Sequence, residues 1–224
     1  TESGTTVDEE LQVWTWGSSY GTQYREVSGG GDARRQAWSF GGTRTTAMPA
    51  GGTANYTGRY GATSKTWNWI DEDTPGKTIS ANNTWRVEGT SNIDANFATR
   101  QMTGTLTPST WTAFQTLGGA SGFLAVNSGT PADPNFVGFM NDDVVLQGTI
   151  TGNTISGKAS LDPAQGWLNG TNPMYAGFFG TPGADEVTGV YNFLAVSPEP
   201  IGGEPPINDD RRGFVQQSGV FNGQ

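Results

Sequence analysis

The residues best suited to chemistry in this chain are aromatic rather than ionisable. Trp14 and Trp16, and again Trp67 and Trp69, stand two apart. In a strand, residues i and i+2 share a face, so each pair could offer two adjacent indoles to a planar or sugar-like ligand. The competing role for such indoles is to cover a core. The chain has neither histidine nor cysteine. A haem would therefore have to take its axial bond from Tyr, Met or Lys, and Tyr20, Tyr24, Tyr60 and Met48 lie in loop-proximal stretches.

The carboxylates are arranged less suggestively. Asp71, Glu72 and Asp73 offer clustered oxygens of the kind Ca²⁺ takes, but the spacing lacks the EF-hand pattern and such a run reads as a solvated turn. Asp142–Asp143 reads the same way. Gly29 to Gly31 lacks the strand–loop–helix context of a phosphate cradle. Glycoside hydrolysis would need two carboxylates beside aromatics on inward strand positions, and only Glu88 fits, since Asp94 falls on a wet face. Without imidazole or thiol, the usual zinc sets, the Ser-His-Asp arrangement and cysteine nucleophiles are excluded. The expectation is a protein that is not an enzyme.

Composition narrows the partners. The chain has 224 residues with 34 Gly, 8 Trp and 11 Phe, only 15% charged residues, and a net charge of −9. Many glycines among many aromatics suit short strands and frequent turns. The acidic balance disfavours nucleic acid and anionic membrane surfaces. No apolar run approaches the roughly 20 residues a spanning helix needs. A start at Thr1 reads as a mature or trimmed product.

The elements that would position these residues are strands. Tyr175 to Val196 reads as strand, Pro182-Gly183 turn, strand, with Val187, Gly189, Tyr191 and Phe193 on one face. In Ser91–Phe97, Ile93, Ala95 and Phe97 alternate with Asn92, Asp94 and Asn96. Gln101–Thr107 follows with Met102 and Leu106 inward, making a hairpin with one wet face. Val144–Thr151 and Thr154–Leu161 flank a Gly152-Asn153 turn. A short helix is expected near 109–117, and a long loop or protruding hairpin over 61–83. The chain divides into a disordered leader at 1–10, a small N-terminal β segment at 11–48, a barrel at 49–196, and a linker with a tail at 197–224, in which 211–215 and 219–221 could be a last strand or an ordered tail. Meander hairpins with alternating faces point to an all-β, up-and-down antiparallel barrel of roughly eight strands.

Four of these stretches, in this order, resemble a known pattern. Pro49–Gly58 (PAGGTANYTG), Ile93–Leu106 (IDANFATRQMTGTL), Gly152–Gly157 (GNTISG) and Ala176–Tyr191 (AGFFGTPGADEVTGVY) are similar to barrel strands of transferrin-binding protein B-like bacterial surface lipoproteins. The last runs from a Gly-Phe-Phe-Gly turn through Ala-x-Glu into a Gly-Val-Tyr strand. The resemblance implies an eight-stranded barrel paired with a smaller N-terminal β "handle", here a short one. It implies an exported, non-enzymatic ligand-capture protein, lipid-anchored at the outer-membrane surface or secreted, and a monomer. Relatives of this kind take up haem or iron proteins and hand cargo to an outer-membrane transporter or receptor, or grip host proteins. The primary expectation is a small haem-like or other cofactor nutrient, held by Trp14, Trp16, Tyr20, Tyr24, Trp67 and Trp69. The alternative is a surface module binding a host protein of the transferrin or complement-regulator type through loops 61–83 and 118–143. A carbohydrate-active protein is a distant third.

Overall fold

The structure is a computed structural model and describes residues 8–16, 20–28, 34–41, 44–69, 83–117, 120–124, 142–162, 168–169, 174–180, 183–196 and 212–224, with side chains for 44–64, 85–111, 142–162, 175–180, 183–196 and 215–224. Alternation sets the sheet's two faces. In β5 (Asn83–Asn96) every second residue from Trp85 through Ala95 is buried, while Asn92 and Asp94 face water. β6 (Gln101–Leu117) buries Met102, Gly104 and Leu106 in the same rhythm. β5 and β6 run antiparallel, with Asn96 opposite Gln101.

β4 (Thr53–Trp69), β5, β6, β8 (Val144–Thr151), β9 (Thr154–Leu161), β11 (Met174–Gly180), β12 (Glu186–Val196) and β13 (Arg212–Gly223) pair in that order, and β13 returns to pair with β4. The result is a closed, eight-stranded, up-and-down antiparallel barrel, as the alternation predicts. Closure leaves no free edge among the eight. β7 (Ala120–Leu124) pairs with β6, and β10 (Leu168–Asn169) with β12, outside the ring.

Two expectations change. The last barrel strand comes from Arg212–Gly223, so the barrel extends past 196 and the tail takes the form of a last strand. The stretch 109–117 is the second half of β6 rather than a helix. Its threonines are β-branched, and its pairing with β5 continues to Trp85 opposite Ala113. Pro108 is accommodated because the register shifts there, leaving Ser109 as the extra residue of a bulge whose hydroxyl donates to the Glu88 carbonyl at 3.1 Å. Of the two forms expected over 61–83, the hairpin is the one the strands support, because β4 runs to Trp69, β5 starts at Asn83, and the two stay paired to Thr66 opposite Asn83.

The N-terminal runs form β1 (Asp8–Trp16), β2 (Tyr20–Ser28) and β3 (Arg34–Gly41), a three-stranded antiparallel sheet in that order. Asp8 to Glu10 thus belong to β1 rather than to a leader. β2 and β3 lie against β13, and β3 also against β12.

The barrel interior is filled. Tyr56, Val87, Ile93, Met102, Leu106, Leu146, Ile155, Phe179, Val187 and Phe221 are among its buried side chains. Burying each such apolar side chain contributes about 1.5–3 kcal/mol. Large rings fit because glycines stand directly opposite them on neighbouring strands. Tyr60 faces Gly89, Tyr175 faces Gly157, Tyr191 faces Gly219, and Phe221 faces Gly189. A Cβ at Gly189 would lie 2.5 Å from Cζ of Phe221. The Gly152-Asn153 turn forms as expected, with Gly152 at φ 58°, the positive φ a type II′ turn needs at its first central residue.

Candidate functional site

The strand register gathers four of the sequence-selected residues. Trp16 is opposite Tyr20 and Gln12 opposite Tyr24, so Trp14, Trp16, Tyr20 and Tyr24 occupy one face of the β1–β2–β3 sheet. All four are on strands rather than in loops. Trp67 and Trp69 stand elsewhere, near the far end of β4, where their backbone partners on β13 are Phe214 and Arg212. The two sets belong to different sheets.

Tyr60 does not fit the role of an axial ligand near a loop. It is mid-strand, buried in the barrel, with its ring 6.5 Å from that of Tyr191 in an edge-on arrangement. Burial, with a smaller contribution from Asp143, holds its phenol far above the usual range. Met48 is half-buried and packs against the core. Glu88 lies on the outer side, where the Arg86 Nε donates to its Oε1 at 2.9 Å. Asp94 is exposed and accepts from the Asn55 amide at 2.8 Å. Asp142 and Asp143 are half-buried, and the Asp162 amide donates to the Asp143 carbonyl. Among the described residues no group of three or more acidic side chains is gathered to hold a metal ion. Asp71 to Asp73, Gly29 to Gly31, and residues 70–82 and 125–141 of the expected binding loops lie outside the described residues.

A groove that sequence reasoning passed over opens on the barrel wall where β12, β13, β4 and β5 adjoin. Its volume is about 440 Å³. Thr57 and Arg59 of β4, Thr90 and Asn92 of β5, Asn222 and Gln224 at the end of β13, and Glu186 of β12 line it. Alternation explains the set, because these seven are the outward residues where the inward ones are Gly58, Ser91, Val187 and Gly223. The strands crowd together here. The Ser91 hydroxyl donates to the Asn222 carbonyl, the Arg59 amide donates to Asn222 Oδ1 at 3.3 Å, and Thr57 and Gln224 exchange backbone hydrogen bonds.

Glu186 is the chemically unusual member. Only 8% of it is exposed, and its Oε2 is buried without a hydrogen-bond partner. Burial, helped by the neighbouring Asp185, raises its pKa. The preceding turn is tightly held. Gly183 and Ala184 both have positive φ (107° and 62°), and the Tyr56 hydroxyl donates to the Ala184 carbonyl at 2.5 Å. In the sequence, only the Ala-x-Glu of the family-like stretch marks the position of Glu186.

The fold thus defines a closed up-and-down barrel with a filled interior and a small sheet alongside. Residues 48–224 match the family model described as the C-lobe and N-lobe beta barrels of Tf-binding protein B. The chain belongs to that family. No curated protein sequence matches it. Among solved structures, intact Ap-TbpB (N and C lobes) is 13% identical, covering 96% of this chain and 38% of its own, with a TM-score of 0.40. A double mutant of the vaccine antigen Transferrin Binding Protein B from Haemophilus parasuis is 13% identical, covering 92% and 33%, with a TM-score of 0.41. A structure described only as a surface lipoprotein is 14% identical, covering 93% and 79%, with a TM-score of 0.41. The chain therefore spans about a third of the first two relatives' length.

Proposed function

We propose that this chain is an exported surface module that binds a host protein of the transferrin type, with no catalytic role. The family assignment supports a binding scaffold, and the filled barrel carries the choice between ligands. A haemophore reading wants an enclosed apolar chamber with polar groups converging on a cofactor. The described barrel interior is instead occupied by its own aromatic and aliphatic side chains, Tyr60 among them.

The barrel is taller on one side, where β4 and its partners β5 and β13 are long. β4 and β6 have 17 residues each, against 8 in β8 and β9. β4 remains paired with β5 to Thr66 opposite Asn83, and β6 with β7 to Leu117 opposite Ala120. Such hairpins present a broad ledge, and Trp67 and Trp69 on β4 are aromatic anchors of the kind that dominate protein interfaces. The aromatic face of β1 and β2 is a second contact. The module would be displayed at the outer-membrane surface.

The test is surface plasmon resonance of the immobilised chain with iron-loaded and iron-free serum transferrin, alongside a hemin titration. Saturable transferrin binding with Kd below about 1 μM, weakened at least tenfold in a Trp67→Ala, Trp69→Ala variant, is expected. Absence of transferrin binding together with a shifted Soret band saturating at one equivalent of hemin would replace this reading with the haem one.

A further inference from the structure

We propose that the groove around Glu186 is a subsite for one lysine or arginine side chain of a protein partner. The inference deepens the protein-binding reading and rests on it for the nature of the partner. Its physical basis is local. A carboxylate that is more than nine-tenths buried ordinarily has hydrogen-bond or ionic partners, because leaving it without them costs free energy. Glu186 has an orphaned Oε2 although it lines an open groove containing a guanidinium-bearing residue, Arg59. Among the described residues, Arg59 lines the same groove without pairing with that oxygen.

The rest of the lining suits an incoming ammonium or guanidinium group. Thr57, Thr90, Asn92 and Asn222 bring hydroxyl and amide oxygens, which can accept the remaining N–H bonds of such a group. A phosphate or carboxylate would meet an uncompensated buried carboxylate instead. At 440 Å³ the groove can take the end of one long side chain, and the net charge of −9 draws basic surfaces from a distance. A partner's basic side chain inserting there would supply the pairing that Glu186 lacks once a side-chain rotation turns the buried Oε2 toward the groove.

The test uses the full chain and Nα-acetyl-lysine amide and Nα-acetyl-arginine amide as probes, with Nα-acetyl-norleucine amide as the neutral control. Side-chain amide NMR signals of Asn92, Asn222 and Gln224 report on the groove. Saturable shifts with either cationic probe, with Kd on the order of 1 mM in 0.15 M salt, and none with the norleucine compound, are expected. Glu186→Gln should weaken the binding at least tenfold. Thr90→Lys, a change at an exposed position, should block it by supplying the cation from within the chain. Shifts that fail to saturate, or that persist unchanged in both variants, would overturn the assignment and leave only diffuse attraction to an acidic protein. Transferrin binding by the wild-type chain is scored separately. Its absence with probe binding intact sinks the transferrin-type partner and upholds the groove.

Discussion

At the scale of single residues, the four inward tyrosines are not equivalent. The Tyr56 hydroxyl is bonded to the Ala184 carbonyl, whereas the Tyr175 and Tyr191 hydroxyls are buried with no hydrogen-bond partner. Removing a satisfied buried hydrogen bond costs about 1 kcal/mol, while removing an unsatisfied hydroxyl relieves a desolvation penalty. Tyr56→Phe should therefore lower stability in urea unfolding by about 1 kcal/mol, and by more if the strained Gly183–Ala184 turn loosens. Tyr191→Phe should be neutral or stabilising. The alkaline limb has the same origin in burial, which pushes the Tyr56 and Tyr175 phenols up to about 12, that of Tyr60 higher, and that of Tyr191 well above its usual range. An unfolded tyrosine ionises near pH 10, so above that the unfolded chain binds fewer protons than the folded one. The stability these phenols contribute is fully present below pH 10 and is lost as pH rises towards their folded values. Absorbance at 295 nm should show these phenols ionising together with loss of the β-sheet signal, rather than in an independent step at pH 10.

At the scale of elements, alternation makes β5, β6, β8 and β9 readable, because each has one wet face, whereas the first half of β12 is covered on both. Ile93 and Ala95 against Asn92 and Asp94 is a pattern that only a one-sided strand explains. The second half of β6 is harder to read. Pro108 resembles a strand terminator, and only the bulge at Ser109, a feature of pairing with β5, lets the strand continue. Glu186 is hidden for a related reason, since a carboxylate next to a turn looks solvated until neighbouring strands are laid beside it. Glycines facing rings are legible as residues but not as pairs, since the partner strand decides which ring each meets. Gly219 tests that pairing. A Cβ there would lie 2.6 Å from the Gly61 carbonyl oxygen, 2.7 Å from Ala62 Cβ and 2.9 Å from Tyr191 Cε1. Backbone cannot step aside as a flexible side chain can, so Gly219→Ala should destabilise by about 1–3 kcal/mol, read as a lower urea midpoint with unchanged slope.

At the scale of the whole molecule, closure depends on a strand that the sequence alone does not settle. Residues 197–210 are rich in Pro, Gly and acidic residues, which is the composition of a boundary, so residues 212–224 read as either an ordered tail or a last strand. Pairing decides for the strand. β13 runs between β12 and β4, with Val220 opposite both Val190 and Gly61. It also carries Phe221 into the core and Asn222 into the Glu186 groove. Removing residues 212–224 would leave β12 and β4 as two facing edges, each with a row of unpaired backbone groups, and would empty the space filled by Val215 and Phe221. A free tail could be cut away with little effect, so the two readings predict opposite results. A chain ending at residue 211 should lose its cooperative thermal transition and aggregate on size-exclusion chromatography. Adding the 212–224 segment back as a peptide should restore part of the sheet signal in circular dichroism, because the vacated slot offers it backbone partners along both sides.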